Sequence, residues 1–440
     1  VTLTPKPFQL TAVDFALKRQ ASYLALDMGL GKSVVAALIH NHLNSATLVI
    51  SPPSLVLNLE YEFTRWCRRP LRVSRAPFFP MQFPCIWIVP DSLIARADVQ
   101  KEIQDFAVYH HARARTLIVD EAHRFKTPDS QRSLALFGII TPLFGTKVAL
   151  SGSPIPNRPL ELFPILDSWA PHTINNMSVW DYGRAFCDGF QDERGHWDFS
   201  GASNLKELGK RVIGPFMLRM KKADVMPELP PKMESLVFIG EGPPKEIGRL
   251  DAKILRHYSP EDLARIDITQ DLNLDDGETL ELSTYRRLLG EKKAPACAAY
   301  IKAALENTDE AVFVFAIHRS TVSYIQKALD EFSPLVVTGE TPMKTRHELV
   351  KRFQTTAKHR VFIGNMAAAI GITLTKASTI FVAESPWVPG DLDQAIDRIH
   401  RIGTTHDTIF IRHLVFRDSL DRAVLETVLK KRAVIDEVMG

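Results

Sequence analysis

Asp120-Glu121-Ala122-His123 closes an apolar run at residues 116–120, and Met28-Gly29-Leu30-Gly31-Lys32-Ser33 stands upstream of it. A triphosphate needs closely spaced backbone N–H donors, one mobile cation for its outer phosphates and a hydroxyl for magnesium. Gly29, Gly31, Lys32 and Ser33 supply those parts, with Met28 and Leu30 completing the loop. Leu26 takes the place of the first glycine of the usual GxxxxGK[ST] pattern. Asp120 and Glu121 are adjacent, so at a strand end they point differently. One can hold a magnesium shell while the other polarises an attacking water. His123 is expected to link this site to Ser151-Gly152-Ser153. The chemistry predicted is ATP hydrolysis that drives a motor.

Such groups must be carried by strand ends and a helix start. The loop follows an apolar run at residues 22–27 and opens a helical pattern at 33–42, which places the phosphates at a helix N-terminus. Similar short runs recur at 47–52, 86–90, 116–120 and 147–151, then at 312–317, 335–339, 360–364, 379–383 and 409–414. Near-continuously apolar runs separated by helix-length segments predict parallel sheets covered on both faces. The fold class is therefore α/β with two similar lobes. Three prolines within 226–232 cannot continue a helix, so lobe one is expected over 1–226 and lobe two over 227–440. Residues from about 160 to 225 read as a helical elaboration of lobe one with a loop through 189–201. A helical insertion is expected over about 243–304 and a C-terminal brace helix over about 419–439.

Composition narrows the class. At 440 residues and 45% apolar content the chain can bury more than one core. No run approaches the roughly 18 apolar residues of a membrane span, and the first ten residues lack the apolar stretch of a secretion signal. Four separated cysteines, Cys67, Cys85, Cys187 and Cys297, give no metal or disulfide pattern. An intracellular protein without a membrane partner is expected, in the cytoplasm or nucleoid if the source is prokaryotic or viral. A net charge of +3 requires any nucleic-acid contact to use local patches. Candidates are Arg65, Arg68, Arg69, Arg72 and Arg75 beside Trp66, and Lys344, Arg346, Lys351, Arg352, Lys358 and Arg360. The acidic stretch 261–281 should lie away from a polyanion.

The ordered set Asp27-Met-Gly-Leu-Gly-Lys-Ser33, Asp120-Glu-Ala-His123, Leu150-Ser-Gly-Ser-Pro-Ile-Pro-Asn157, Pro215-Phe-Met-Leu-Arg219 and Gln394-Ala-Ile-Asp-Arg-Ile-His-Arg-Ile-Gly403 closely resembles the SNF2 family of superfamily 2 helicase-like ATPases. Ala383-Glu384, Trp387, Pro389-Gly390 and Gly371-Ile-Thr373 look most like its annealing-helicase (HARP-related) branch. The resemblance implies two RecA-like lobes with ATP and Mg2+ as cofactors. It implies that Gln9 reads adenine, that Lys32 binds phosphate, and that Ser33 and Asp120 serve the magnesium, partly through water. Glu121 would act on the water, and Arg398 and Arg401 would reach the γ-phosphate. His123, Ser151, Gly152, Ser153, Gly371 and Gln394 would couple the site to movement. Duplex contacts are implied for Ser51, Pro52, Ser54 and Asn58 in lobe one, and for Thr338, Gly339, Gly364 and Asn365 in lobe two. These suit phosphate binding, which positions a strand without reading sequence.

Departures from the family pattern are Asp27 for Glu, Leu59 for Trp, Ala122 for Gly, Ala368 and Ala369 for a Gly pair, and Thr404 for Gln. None removes a reacting group. The expected output is ATP-driven translocation on double-stranded or branched DNA by a monomer. Competing readings are a strand-separating helicase of the same superfamily, for which no obvious wedge hairpin is seen, and a nucleotide-gated DNA clamp that does not hydrolyse.

Overall fold

The computed structural model describes residues 4–67, 72–76, 78–113, 115–191, 195–259, 262, 271–274, 279–366, 372–401 and 403–439. The chain divides into two compact units, Val1–Met226 with Val434–Gly440, and Pro227–Ala433.

The first unit is built on β1 (Ala21–Leu26), β2 (Ala46–Ser51), β3 (Arg72–Arg75), β4 (Cys85–Pro90), β5 (Arg115–Asp120) and β6 (Thr146–Ser151). A small hairpin follows, β7 (Phe190–Gln191) with β8 (Trp197–Asp198), and then β9 (Met217–Met220). The main sheet is parallel in the order β3-β4-β2-β5-β6-β1-β9. All six residues of β2 are buried, as a central strand covered on both faces requires. Its core joins Leu48, Ile50, Trp87, Val89, Leu117 and Val119 to helix residues Ile103 and Phe106.

The second unit contains β10 (Lys232–Phe238), an antiparallel pair β11 (Asp271–Asn273) and β12 (Thr279–Glu281), then β13 (Ala311–Phe315), β14 (Leu335–Val337), β15 (Val361–Gly364), β16 (Ala377–Val382) and β17 (Ile409–Val415). Its parallel sheet runs β10-β17-β16-β13-β15-β14. Two parallel α/β lobes of RecA type are thus present. Helices Lys245–His257 and Leu282–Glu306 flank the β11–β12 pair, and the C-terminal helix spans Leu420–Met439.

Several strands depart from the sequence expectation, among them the β11–β12 pair inside the expected helical insertion. β9 interrupts the helical elaboration, β10 follows the proline-rich connection, and β3 lies within the arginine cluster. The expected loop at 189–201 holds the β7–β8 hairpin, whose Phe199 ring packs where a Cβ on Gly183 or Gly189 would stand. Of that arginine cluster, Arg68 and Arg69 lie outside the described residues, as do Gly371, Ala368, Ala369 and most of the acidic stretch. Among the described residues no helix is long and apolar enough to cross a membrane. All four cysteines are free, and burial pushes the thiols of each up to about 12.

Candidate functional site

The phosphate loop leaves the end of β1 and turns into the helix Lys32–Leu43. Gly29 has φ +89° and Gly31 φ +80°, a left-handed region that a side chain strains, so glycine is needed at both. Gly31 caps the helix without a side-chain hydrogen bond, which leaves the helix N–H groups to a ligand. Gln9 braces the loop: its Nε2 donates to Leu30 O at 3.0 Å, while its Oε1 accepts from Lys6 N at 2.9 Å. Each end of the amide keeps one further hydrogen-bonding position, enough to pair with adenine. Lys32 Nζ rests 3.4 Å from Leu26 O.

Asp120 ends β5, and Ser151 ends β6, the strand between β5 and β1. A Cβ on Gly152 would stand 2.8 Å from Met28 Cγ and 3.3 Å from Lys32 Nζ, so the segment after β6 lies against the phosphate loop. His123 Nδ1 is 2.8 Å from Ser151 Oγ, which also accepts from Ser153 N at 3.1 Å. The structure therefore brings Lys32, Asp120, His123, Ser151, Gly152 and Ser153 together. Glu121 adopts φ 51°, ψ 50°, a conformation strained for a residue with a side chain and frequent at functional sites.

Electrostatics mark the carboxylate pair. Asp120 is 5% exposed, and burial, then the Glu121 charge, raise its carboxyl to about 7 against the pull of Lys32. Glu121 Oε2 is buried without a hydrogen-bond partner, although His123 Nδ1 lies 3.3 Å away. Burial lowers the His123 pKa, so a neutral ring makes that contact polar rather than ionic. Two acidic groups share a buried site in which the pull of Lys32 does not offset the burial of Asp120, and a divalent cation would fit it. Among the described residues no cluster of three or more His, Cys, Asp or Glu side chains could hold a metal alone. Magnesium keeps waters and phosphate oxygens beside one or two protein ligands. Asp120 and Ser33 would be those ligands.

The second unit assembles its own group. Arg398 Nη1 donates to Ile372 O at 3.3 Å and its Nε to Gln394 O at 3.0 Å. Arg401 Nη1 donates to Ile372 O at 3.2 Å and to Thr373 Oγ1 at 3.0 Å. Both guanidiniums thus share Ile372 O as an acceptor.

The suggested nucleic-acid residues divide by exposure. Asn58 and Gly339 are exposed, and Ser54, Thr338 and Asn365 are half-buried. Ser51 is instead fully buried, with Oγ donating to Asp120 Oδ2 at 3.4 Å, which places it in the carboxylate's surroundings. Pro52 and Gly364 are buried too, and Gly364 ends β15 inside the sheet. The second basic cluster also splits. Lys344, Lys351, Arg352 and Lys358 are exposed, whereas Arg346 is buried at 9% exposure.

Several polar groups escaped the sequence reading because their partners are remote in the chain. Asp91, 1% exposed, accepts from Arg124 Nε at 2.5 Å. Asp27 pairs with Arg219 at 2.7 Å and accepts from Lys222 N at 2.8 Å, so the shorter acid serves as an anchor between β1 and β9. The sequence signalled Arg124 by its place directly after Asp120-Glu121-Ala122-His123, and Asp27 and Arg219 by their places in the ordered motif set, but not which groups pair.

A family model described as the SNF2-related domain matches residues 8–241, and the helicase conserved C-terminal domain matches residues 292–403. The SWI/SNF-related matrix-associated actin-dependent regulator of chromatin subfamily A-like protein 1 of Xenopus tropicalis is 29% identical over 441 residues, covering 98% of this chain and 44% of that protein. The DNA annealing helicase and endonuclease ZRANB3 of Homo sapiens is 28% identical over 449 residues, 99% of this chain and 40% of that one. The chain therefore spans less than half the length of these two relatives. A Sulfolobus solfataricus SWI2/SNF2 ATPase core in complex with dsDNA covers 100% of this chain and 93% of its own at 20% identity, with a TM-score of 0.44.

Proposed function

Because the chain belongs to the SNF2-related family of helicase-like ATPases, we propose that it is an ATP-dependent translocase on double-stranded DNA, acting as a monomer on forks, branches or protein–DNA complexes. Lys32 holds the outer phosphates, Gln9 reads adenine, and Glu121 orients and polarises the attacking water. Magnesium, held by Ser33 and Asp120, supplies charge neutralisation on the phosphates when bound. Arg398 and Arg401 stabilise charge developing on the γ-phosphate. Each cycle closes and reopens the lobes while Ser54, Asn58, Thr338, Gly339 and Asn365 grip phosphates in alternation. His123, Ser151, Gly152, Ser153, Gly371 and Gln394 carry the change between nucleotide and DNA.

The observation that carries this reading is the convergence of the phosphate loop, Ser151 and Asp120-Glu121 at the same ends of adjacent parallel strands β1, β6 and β5. Its test is ATPase activity without nucleic acid and with single-stranded, duplex and forked DNA and RNA, paired with displacement of a third strand. Stimulation by duplex or fork with triplex displacement is expected. Robust fork unwinding without triplex displacement would reject translocation alone. That second reading, strand separation, has one feature in its favour: the β7–β8 hairpin carries exposed Phe190 and Trp197.

A further inference from the structure

We propose that Arg346 is a positioning residue that shapes residues 338–341 into a phosphate-binding loop, an inference that rests on the translocase reading of Thr338 and Gly339. In the sequence Arg346 belongs to a basic cluster and reads as a surface charge. In the structure its guanidinium is turned inward beneath the loop. Nε donates to Thr341 O at 2.8 Å, and Nη2 donates to Thr338 O and Gly339 O at 3.1 Å each. The loop is closed on itself as well: Thr338 N donates to Thr341 Oγ1 at 3.0 Å, and Thr341 N to Thr338 O at 3.1 Å.

The consequence follows from peptide geometry. In a planar trans peptide the N–H points opposite to the C=O. Holding the Thr338 and Gly339 carbonyls on the guanidinium therefore turns the N–H groups of Gly339 and Glu340 away from it, and both residues are exposed. Two successive outward N–H groups form a concavity suited to one phosphate oxygen. The carboxylate of Glu340, which would oppose a polyanion, is paired with Arg319 at 2.5 Å. Lysine would not reproduce this contact, because its single nitrogen cannot stand at both the Nε position that bonds Thr341 O and the Nη2 position that bonds Thr338 O and Gly339 O.

The test uses the full chain with a blunt duplex. Arg346→Gln should raise the duplex concentration for half-maximal ATPase stimulation by about tenfold, the effect of misplacing one or two phosphate contacts. Maximal rate at saturating duplex and KM for ATP should stay unchanged. Arg346→Lys should behave like Arg346→Gln. The slope of log affinity against log salt should stay that of the unaltered protein, since Arg346 itself touches no phosphate. A slope smaller by about one would mean direct contact and would overturn the inference. So would rescue by lysine, or wild-type half-saturation in both variants. Thr341→Val, which removes the acceptor of Thr338 N, should show the same duplex defect and carries the test if Arg346→Gln fails to fold. If the unaltered protein shows no response to duplex, the translocase reading fails first. If it responds and the variants match it, only the role of Arg346 fails.

Discussion

Asp120 is held against its own charge. Its carboxyl is pushed up to about 7 in the fold, above the ordinary aspartate value of about 4, so between those pH values the native state binds more protons than the unfolded chain. The resulting destabilisation is absent below about pH 4, grows as pH rises and is complete above about pH 7. Asp120→Asn should therefore raise the thermal midpoint of the nucleotide-free protein at pH 8 by a few degrees, roughly the effect of 1–2 kcal/mol in a unit of this size. The gain should vanish toward pH 4 in scans across pH. A gain equal at both pH values would show that packing, not charge, is responsible. Glu121→Gln separates binding from chemistry at the same site. It should leave ATP affinity within a few-fold and lower hydrolysis by about two orders of magnitude or more, read by nucleotide titration and single-turnover hydrolysis. An unchanged rate would remove Glu121 from the role of base.

Among the elements, the helix Leu282–Glu306 shows how one buried carboxylate joins several others. Glu384, just beyond β16, accepts from Ile317 N at 2.7 Å and His318 N at 2.9 Å, at the start of the helix Arg319–Ala328. It also meets His318 Nδ1 at 2.7 Å. A Cβ on Gly290 would collide with Glu384 Oε1, so glycine is what lets this helix approach. One turn away Arg286 donates to Ser385 O at 2.7 Å and lies over the Trp387 ring at 5.5 Å. Gly290→Ala should cost about 2 kcal/mol or more, seen as a lowered midpoint in denaturant, because the carboxylate is buried and tied three ways. Gly248→Ala, in the helix Lys245–His257, meets only Pro243 Cγ at 3.8 Å and should instead stabilise by about 0.5–1 kcal/mol. Equal effects would mean that the helix backbone, not the space beside it, sets the outcome.

These contacts also mark how far the sequence could be read. Runs such as residues 46–51 are near-continuously apolar, broken only by the hydroxyls of Thr47 and Ser51, because both faces of a parallel strand are covered, and that signal survives in the sequence alone. β3 and β10 are edge strands with polar or exposed residues, so the periodicity that betrays a buried strand is missing. The phosphate loop and Asp120-Glu121 were legible because their chemistry is local. Ser51 and Arg346 were not, since their direction is fixed by Asp120, 69 residues away, and by three carbonyls of a loop.

At the scale of the whole molecule, the phosphate loop and carboxylates belong to one compact unit and the arginine pair to the other. On the proposed mechanism, nucleotide binds to one unit and is hydrolysed only when the second contributes charge. Arg401 is the cleaner probe, because its bonds to Ile372 O and Thr373 Oγ1 fix the guanidinium without involving the nucleotide-binding unit. Arg401→Ala should leave ATP affinity within a few-fold, since Lys32 and the helix N-terminus are untouched. Turnover at saturating ATP and duplex should fall by about 10²-fold or more, the scale of losing a preorganised cation at developing phosphate charge. Arg401→Lys should recover little, because one ammonium cannot bond Ile372 O and still present a planar fork. The discriminating quantity is the ratio of the two losses. If affinity falls as far as turnover, Arg401 acts on bound ATP rather than on its transition state, and hydrolysis would not depend on the second unit in the way a lobe-closing translocase requires.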